Sequence, residues 1–377
     1  MVSDVGVGVR VEAALALEDG SLFVGEPFGA HTDAAAEVVF NTGMTGYQEV
    51  ASDPSYRGQM VVMTHPQIGN YGISPAGEES VRPWIAALVV RELAARPHHW
   101  EARTTLAPYL AAWGVPGLQG VDTRALVRRL RETGTQRGVL CRSRPGGFTP
   151  GDLAGLGAAA RRTPSVSQLE LVGDVSAALP PSTDGSADRP VAVVDCGVKW
   201  NIVRSLASRG VPVHTFAWDT SAAEILERRP RAVVVSNGPG DPARLPSVVH
   251  QLRALVQSGT PVLGICLGHQ LLGLVAGGTT SRLRYGHHGG NHPVRDLRSG
   301  QVTITTQNHE FQVDGATIPA ASGFEVSHVN LNDGSVEGLR HRELPVLSVQ
   351  FHPEGCPGPR DSQPVFDHLL RLAAQSA

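Results

Sequence analysis

The sequence predicts an α/β protein: a mixed α/β N-terminal domain, then a domain built on a central, mostly parallel sheet with helices on both faces. Three observations carry this. After residue 190, short β-branched runs alternate with helical stretches at the spacing of strand–helix–strand units. In the first half, strand-like runs at 13–17, 37–40 and 60–64 precede a helical stretch. Between the halves, residues 177–190 are rich in Pro, Ser, Asp and Gly and have almost nothing to bury, the composition of a linker. The expected organisation is therefore a domain over 1–176, a linker over 177–190 and a second domain over 191–377.

In the second half, residues 191–195 form a short apolar run ending in a polar turn, and a helix is expected over 199–209. Residues 211–216 and 232–236 are the next strands, with a helix over 221–229 between them. A helix over 245–258 then leads to a strand over 261–265. Beyond it the pattern changes. Runs at 302–306, 324–329 and 346–351 come without long helices between them, which predicts antiparallel additions before a closing helix over 363–374. In the first half, residues 120–124 lead into a helix of alternating Leu and Arg. The Gly- and Ala-rich stretch 146–174 is expected to be a loosely packed tail of the first domain.

The net charge of −3 over 377 residues provides no broad basic field for nucleic acid or anionic lipid. No apolar run is long enough to span a membrane. Acidic residues such as Asp4 and Glu12 among short valine segments read as neither a signal nor a transit peptide. The four cysteines, Cys141, Cys196, Cys266 and Cys356, are far apart and form no Cys-x-x-Cys pair, so reduced thiols in a cytoplasmic protein are expected.

The chemistry centres on Gly264-Ile265-Cys266-Leu267-Gly268-His269-Gln270, directly after the apolar run 261–263. The cysteine falls at a bend between a buried strand and a helix, and the flanking glycines allow close backbone approach, as in the Gly-x-Ser-x-Gly elbow of serine hydrolases. At the positive end of a helix a thiolate is favoured, and the thiolate is the nucleophile. Such a group needs a base, an orienting acid and an oxyanion hole. His352-Pro353-Glu354 follows the strand ending at 351. His352 is the candidate base, and Glu354 the acid that fixes its tautomer. The loop Asn237-Gly238-Pro239-Gly240 follows another strand. An amide there, with the Leu267 N–H, could bind the oxyanion. Cys196 reads as a packed small hydrophobe. His287, His288 and His292, in Gly286-His287-His288-Gly289-Gly290-Asn291-His292-Pro293, invite a zinc reading. With no adjacent cysteine or carboxylate run, and with glycines suited to a close-packed turn, no metal is expected. His98-His99 reads as a surface pair.

With these residues in place, the second half resembles a class I (triad-type) glutamine amidotransferase domain. The first half resembles the N-terminal domain of the small, glutamine-hydrolysing subunit of carbamoyl-phosphate synthase. That likeness rests on residues 40–49 (FNTGMTGYQE), 53–56 (DPSY), 68–72 (IGNYG) and 120–126 (GVDTRAL), with 286–293 and 306–309 in the second half. It covers the chain from about Glu18 to the end.

The resemblance implies hydrolysis of L-glutamine to glutamate and ammonia, with Cys266, His352 and Glu354 as the triad and a γ-glutamyl thioester between. It implies a glutamine pocket lined by Ser55 from the first domain and by Gly238, Gly240, Leu267, Gln270, Asn308, Glu310 and Phe311. It implies a large-subunit partner that combines the ammonia with bicarbonate and two ATP to make carbamoyl phosphate for arginine and pyrimidine synthesis. ATP and a divalent cation then belong to that subunit, with no cofactor in this chain, which carries no Gly-x-x-x-x-Gly-Lys-Ser/Thr loop. Lys199 matches a position near the domain junction with no role assigned. Two other readings stand beside this one: an amidotransferase serving another synthase, and a catalytically silent scaffold. One residue departs from the pattern, since Glu310 stands where the family carries a glycine. If that position were left-handed, Glu would cost about 1–2 kcal/mol there. The expectation is weakened glutamine affinity with the chemistry intact.

Overall fold

The computed structural model describes residues 12–143, 147–176, 183 and 189–375. The linker expected at 177–190 lies outside these except for residues 183, 189 and 190. By internal packing the chain forms two compact units. Of the described residues, the first holds those up to 78 and from 82 to 169; the second holds Glu79–Val81 and those from 170 onward.

The first unit is a closed barrel. Its strands are β1 (Ala13–Leu17), β2 (Leu22–Gly29), β3 (Ala34–Asn41), β4 (Gln59–Met63), β6 (Ala87–Val89), β8 (Pro116–Gln119) and β9 (Gln136–Arg142), in the order β1-β2-β8-β6-β4-β3-β9. Two further short strands, β5 (Gln67–Ile68) and β7 (Glu92–Leu93), form a separate parallel pair. Its core joins Val39, Val61, Met63 and Leu88 to α1 (Tyr47–Ser52) through Tyr47 and Val50, and to α2 (Leu106–Ala112) through Leu110. The Leu/Arg stretch is α3 (Thr123–Thr133). Asp122 caps it by accepting the Ala125 N–H at 2.9 Å, and Leu126 and Leu130, four apart, are its buried stripe.

The expected loose tail over 146–174 is corrected. Residues 150–162 form α4 (Pro150–Arg162), started by a reciprocal Thr149–Asp152 capping box and packed on β9 and β1. Its glycines and alanines allow close approach to the barrel, and Gly157 and Ala160 are its buried residues. A short helix, α5 (Val172–Ser176), belongs to the second unit.

The second unit is a nine-stranded sheet in the order β11-β10-β12-β13-β18-β17-β16-β14-β15. Strands β10 (Val191–Asp195), β11 (Val213–Ala217), β12 (Ala232–Val235), β13 (Val262–Ile265) and β18 (Val346–Val349) pair in parallel. Their continuous apolar runs reflect burial on both faces. Val191, Val193, Ala232 and Val234 face α6 (Trp200–Ala207) and α10 (Pro364–Gln375). Ala192, Val194, Val233 and Val235 face α7 (Ala222–Glu227), α8 (Pro246–Gln257) and α9 (Leu267–Val275).

The antiparallel half is β14 (Thr279–Asp296), β15 (Val302–Asp314), β16 (Phe324–Asn330) and β17 (Val336–His341). The run at 346–351 is not purely an antiparallel addition: β18 pairs parallel to β13 on one side and antiparallel to β17 on the other. Residues 286–293 are not a turn; they lie inside β14, where two register shifts absorb the glycines. Among the described residues no helix is long and apolar enough to cross a membrane.

Candidate active site

Loops after four parallel strands meet at the carboxyl edge of the sheet, where open α/β folds place their sites. Cys266 ends β13 and begins α9 with φ 54° and ψ −102°. That conformation is sparsely populated for an L-residue and stores on the order of 1–3 kcal/mol. The surroundings enforce it. The Cys266 N–H donates to Val349 O at 2.9 Å, and the Gly268 N–H donates to Ser236 O at 3.1 Å, so the bend is tied to both neighbouring strand ends.

The flanking glycines serve contact rather than handedness, because the positive φ falls on the cysteine itself. A Cβ on Gly264 would lie 2.5 Å from Gly268 O, and one on Gly268 2.2 Å from Val235 O. In the loop after β12, a Cβ on Gly238 would lie 2.1 Å from Cys196 O and 2.8 Å from a Leu267 methyl. Gly240 follows with φ +90°, which favours glycine. Leu267 is the first residue of α9, so its N–H has no acceptor within the helix.

His352 and Glu354 follow β18 and are wholly buried. His352 Nδ1 lies 2.6 Å from Glu354 Oε1. Burial works against charge on His352, but the Glu354 carboxylate and then Cys266 outweigh it and raise its pKa. Burial opposes charge on Glu354 too. Lys199 and then His352 hold its pKa well below the usual carboxylate range. The other edge, His352 Nε2, is buried without a normal-length hydrogen bond. Cys266 is nevertheless close enough to act on the ring's charge. A thiol, an imidazole and a carboxylate are thus buried together, the groups that a nucleophile, a base and an orienting acid require. The adjacent His269 is turned away, with Nδ1 2.8 Å from Ser348 Oγ, and burial pushes its pKa down to about 3.

The wall opposite the elbow is β15. The Cys266 sulfur lies 3.5 Å from Asn308 O. Gln270, one turn into α9, donates through Nε2 to Phe311 O at 2.8 Å, pinning β15 against the elbow. Asn308 Oδ1 is 2.9 Å from His288 Nδ1, and His288 Nε2 is 2.9 Å from Glu310 Oε1. The structure therefore gathers Cys266, Leu267, Gln270, Asn308, Glu310, Phe311, His352 and Glu354, with Gly238 packed on Leu267 and Gly240 next along its loop. Ser55 lies in the first unit, on the single turn Pro54–Tyr56, where Asp53 Oδ1 accepts its N–H at 2.9 Å.

Sequence reasoning left Lys199 without a role and missed Asn201 and Glu79. Lys199 Nζ lies 3.0 Å from Glu354 Oε1 and donates to Gly355 O at 2.7 Å. Asn201 Nδ2 donates to Glu354 O at 2.6 Å. A lone Lys or Asn at the start of a helix carries no periodic signal. The one sequence cue was that both follow a strand end on the site's edge. His287, His309 and Glu337 offer ligand atoms within 4.8 Å of one another. Both nitrogens of His309 and both oxygens of Glu337 are already hydrogen-bonded, to Phe311 and Gln307 and to Asn330 and Gln307, and His287 Nε2 lies 2.8 Å from Asp333 Oδ2, whereas His287 Nδ1 is buried without a hydrogen bond. Cys196 is buried in the core as expected, His98 and His99 are exposed, and all four cysteines are free thiols.

The class-I glutamine amidotransferase family model matches residues 192–372. The carbamoyl-phosphate synthase small chain, CPSase domain, matches residues 15–140. A carbamoyl phosphate synthase small chain of Symbiobacterium thermophilum is 51% identical over 363 residues, covering 96% of this chain and 98% of the relative. The chain belongs to the carbamoyl phosphate synthase small chain family. Another member, from Methanopyrus kandleri, is 47% identical over 97% of this chain and 100% of its own length. Among solved structures, a glutamine amidotransferase of Thermotoga maritima matches with a TM-score of 0.37 and 17% identity, over 45% of this chain and 77% of that one.

Within this small chain family, Glu310 is the residue at odds with the expected pattern. It is an extended residue of β15 and has no positive φ, so the left-handed penalty does not arise. Its carboxylate is held by His288 and by Arg282 Nη2 at 3.0 Å. Burial opposes its charge, but His288 and then Arg282 hold its pKa low. The side chain is tied to β14 on the face it shares with Asn308.

Proposed function

We propose that this chain is the glutaminase subunit of carbamoyl-phosphate synthase and hydrolyses glutamine through Cys266, His352 and Glu354. The Cys266 sulfur attacks the side-chain carbonyl carbon of glutamine. The C–N bond breaks, His352 gives its proton to the leaving nitrogen, and ammonia departs from a γ-glutamyl thioester. Water, deprotonated by His352, then breaks the C–S bond and releases glutamate. Glu354 holds the imidazole in the tautomer that presents Nε2 to the sulfur. The Leu267 N–H, with an amide of the Gly238–Gly240 loop, stabilises the tetrahedral oxyanion. Gln270, Asn308, Phe311 and the backbone of Glu310 complete the part of the glutamine pocket that the second unit supplies.

The ammonia passes to a separate large subunit in the cytoplasm. There ATP and a divalent cation drive its condensation with bicarbonate. Without that partner, hydrolysis by this chain is slow, because a glutaminase that wastes ammonia is better held incompletely assembled.

The observation that carries the reading is the strained Cys266 elbow set against the buried His352–Glu354 pair. Ammonia release from glutamine tests it. Cys266→Ala is expected to lower the rate by at least about a thousandfold. Equal rates in wild type and variant would refute the nucleophile and, with it, favour the silent scaffold.

A further inference from the structure

Helix α6 delivers Lys199 and Asn201 to the triad, yet no nearby residue caps its start. Lys199 holds the N-cap position with φ −73° and ψ 131° and makes no side-chain capping bond. The first amides of a helix need acceptors. Here Glu79, from a distant part of the chain that packs within the second unit, supplies two of them. Its carbonyl accepts the Trp200 N–H at 2.9 Å, and its Oε2 accepts the Asn201 N–H at 3.0 Å. Its Oε1 accepts from Arg204 Nη1 at 3.2 Å, one turn further along. The carboxylate is fully buried at the positive end of the helix.

From that anchored turn, three contacts reach the acid of the triad. Asn201 Nδ2 bonds the Glu354 carbonyl, Lys199 Nζ bonds the next carbonyl, and the same Nζ pairs with the Glu354 carboxylate. The Lys199 N–H is itself held by Asn237 Oδ1 at 3.1 Å, in the loop that carries Gly238.

We propose that Glu79 is a positioning residue for glutamine hydrolysis, clamping the start of α6 so that Lys199 and Asn201 hold Glu354 in line with His352. The proposal rests on the triad reading above. It needs no contact between Glu79 and substrate, and it explains why a carboxylate is buried where no substrate atom would reach it. Burial raises the Glu79 pKa to about 7, with Lys199 the strongest opposing influence, which places the group electrically within the same cluster.

The test is glutamine hydrolysis by the full chain in two backgrounds. Glu79→Ala is expected to lower kcat by about 10- to 100-fold while KM stays within about threefold, because a small misplacement of a catalytic group costs rate rather than binding. Glu79→Gln keeps an oxygen for the Asn201 N–H and is expected to stay within about fivefold of wild type. In a Glu354→Gln background the Glu79→Ala change should add no further loss, because the group it positions is already gone. A wild-type kcat in Glu79→Ala, or the same fold-loss in both backgrounds, overturns the proposal. The second outcome would make Glu79 merely structural. If Glu79→Ala does not fold, Asn201→Ala cuts the same path at its second link, and a wild-type kcat there overturns the proposal equally. Failure of the triad reading shows separately, as ammonia release by Cys266→Ala.

Discussion

The two halves of the nine-stranded sheet hold their functional groups by different physics. In the parallel half the strand interiors are mostly apolar, with Thr215 and Ser348 as buried exceptions, and the polar residues of the site sit at the carboxyl ends: Asp195, Asn237, Cys266 and His352. In the antiparallel half buried polar residues fill the strands themselves. Gln307, His309 and Glu337 form one network, and Asn308, His288 and Glu310 form another on the opposite face of β15. The first half positions the nucleophile by steric exclusion around glycines. The second positions the pocket wall by hydrogen bonds that must all be satisfied. Rigid contact suits a strained nucleophile.

The largest expected break in this contrast is Gly268→Ala. A Cβ there would lie 2.2 Å from the Val235 carbonyl, a backbone atom that cannot swing away. The cost is about 3 kcal/mol, with loss of glutaminase activity as the elbow shifts. The matched change in the other half is Gly290→Ala, whose nearest neighbours would be Pro359 Cδ at 3.3 Å and Gly358 Cα at 3.4 Å. It is expected to cost less than about 1 kcal/mol. Denaturant midpoints and ammonia release on both variants check the pair. Equal losses would erase the distinction between the halves.

A smaller effect separates two accounts of Glu310. If its carboxylate weakened glutamine binding, Glu310→Gly would lower KM severalfold. Its pairing with His288 and Arg282 predicts instead a KM within about threefold of wild type and a stability loss of about 1–3 kcal/mol, because two partners lose their acceptor. KM and the urea midpoint, measured on one preparation, decide between them.

The smallest effect is a pH dependence. Burial, resisted by bonds from Asn330 and Gln307, raises the Glu337 pKa from 4.5 to about 7. Between those values the folded chain keeps a proton that the unfolded chain releases, so this group's contribution to stability falls as pH rises through the window. Glu337→Gln removes that term. Its Tm relative to wild type is expected to rise by about 2–4 °C between pH 5 and pH 8. A constant difference would contradict the assignment.

The same contrast explains what the sequence revealed. Cys266, His352 and the Gly238 loop were legible because each follows a continuous apolar run, so a motif at a strand end has a definite place in a parallel sheet. The barrel of the first unit was not legible as a barrel. A parallel stretch, β8-β6-β4-β3, is closed by antiparallel pairings through β9, β1 and β2, and no local pattern records which strand meets which. The long β14 was hidden by its glycines and register shifts, which read as a turn until the partner strand is known. Lys199, Asn201 and Glu79 were illegible for a further reason. Their roles arise from contacts across long stretches of chain, and single polar residues at helix starts are common.

The central claim is that the Cys266 sulfur bonds covalently to the glutamine carbonyl carbon. The most direct measurement is acid quenching of the full chain during turnover of carbon-labelled glutamine, followed by counting label on the denatured protein. The account predicts label bound in a hydroxylamine-sensitive thioester on wild type and none on Cys266→Ala. Equal label on both, or none on a wild type that is releasing ammonia, would contradict it.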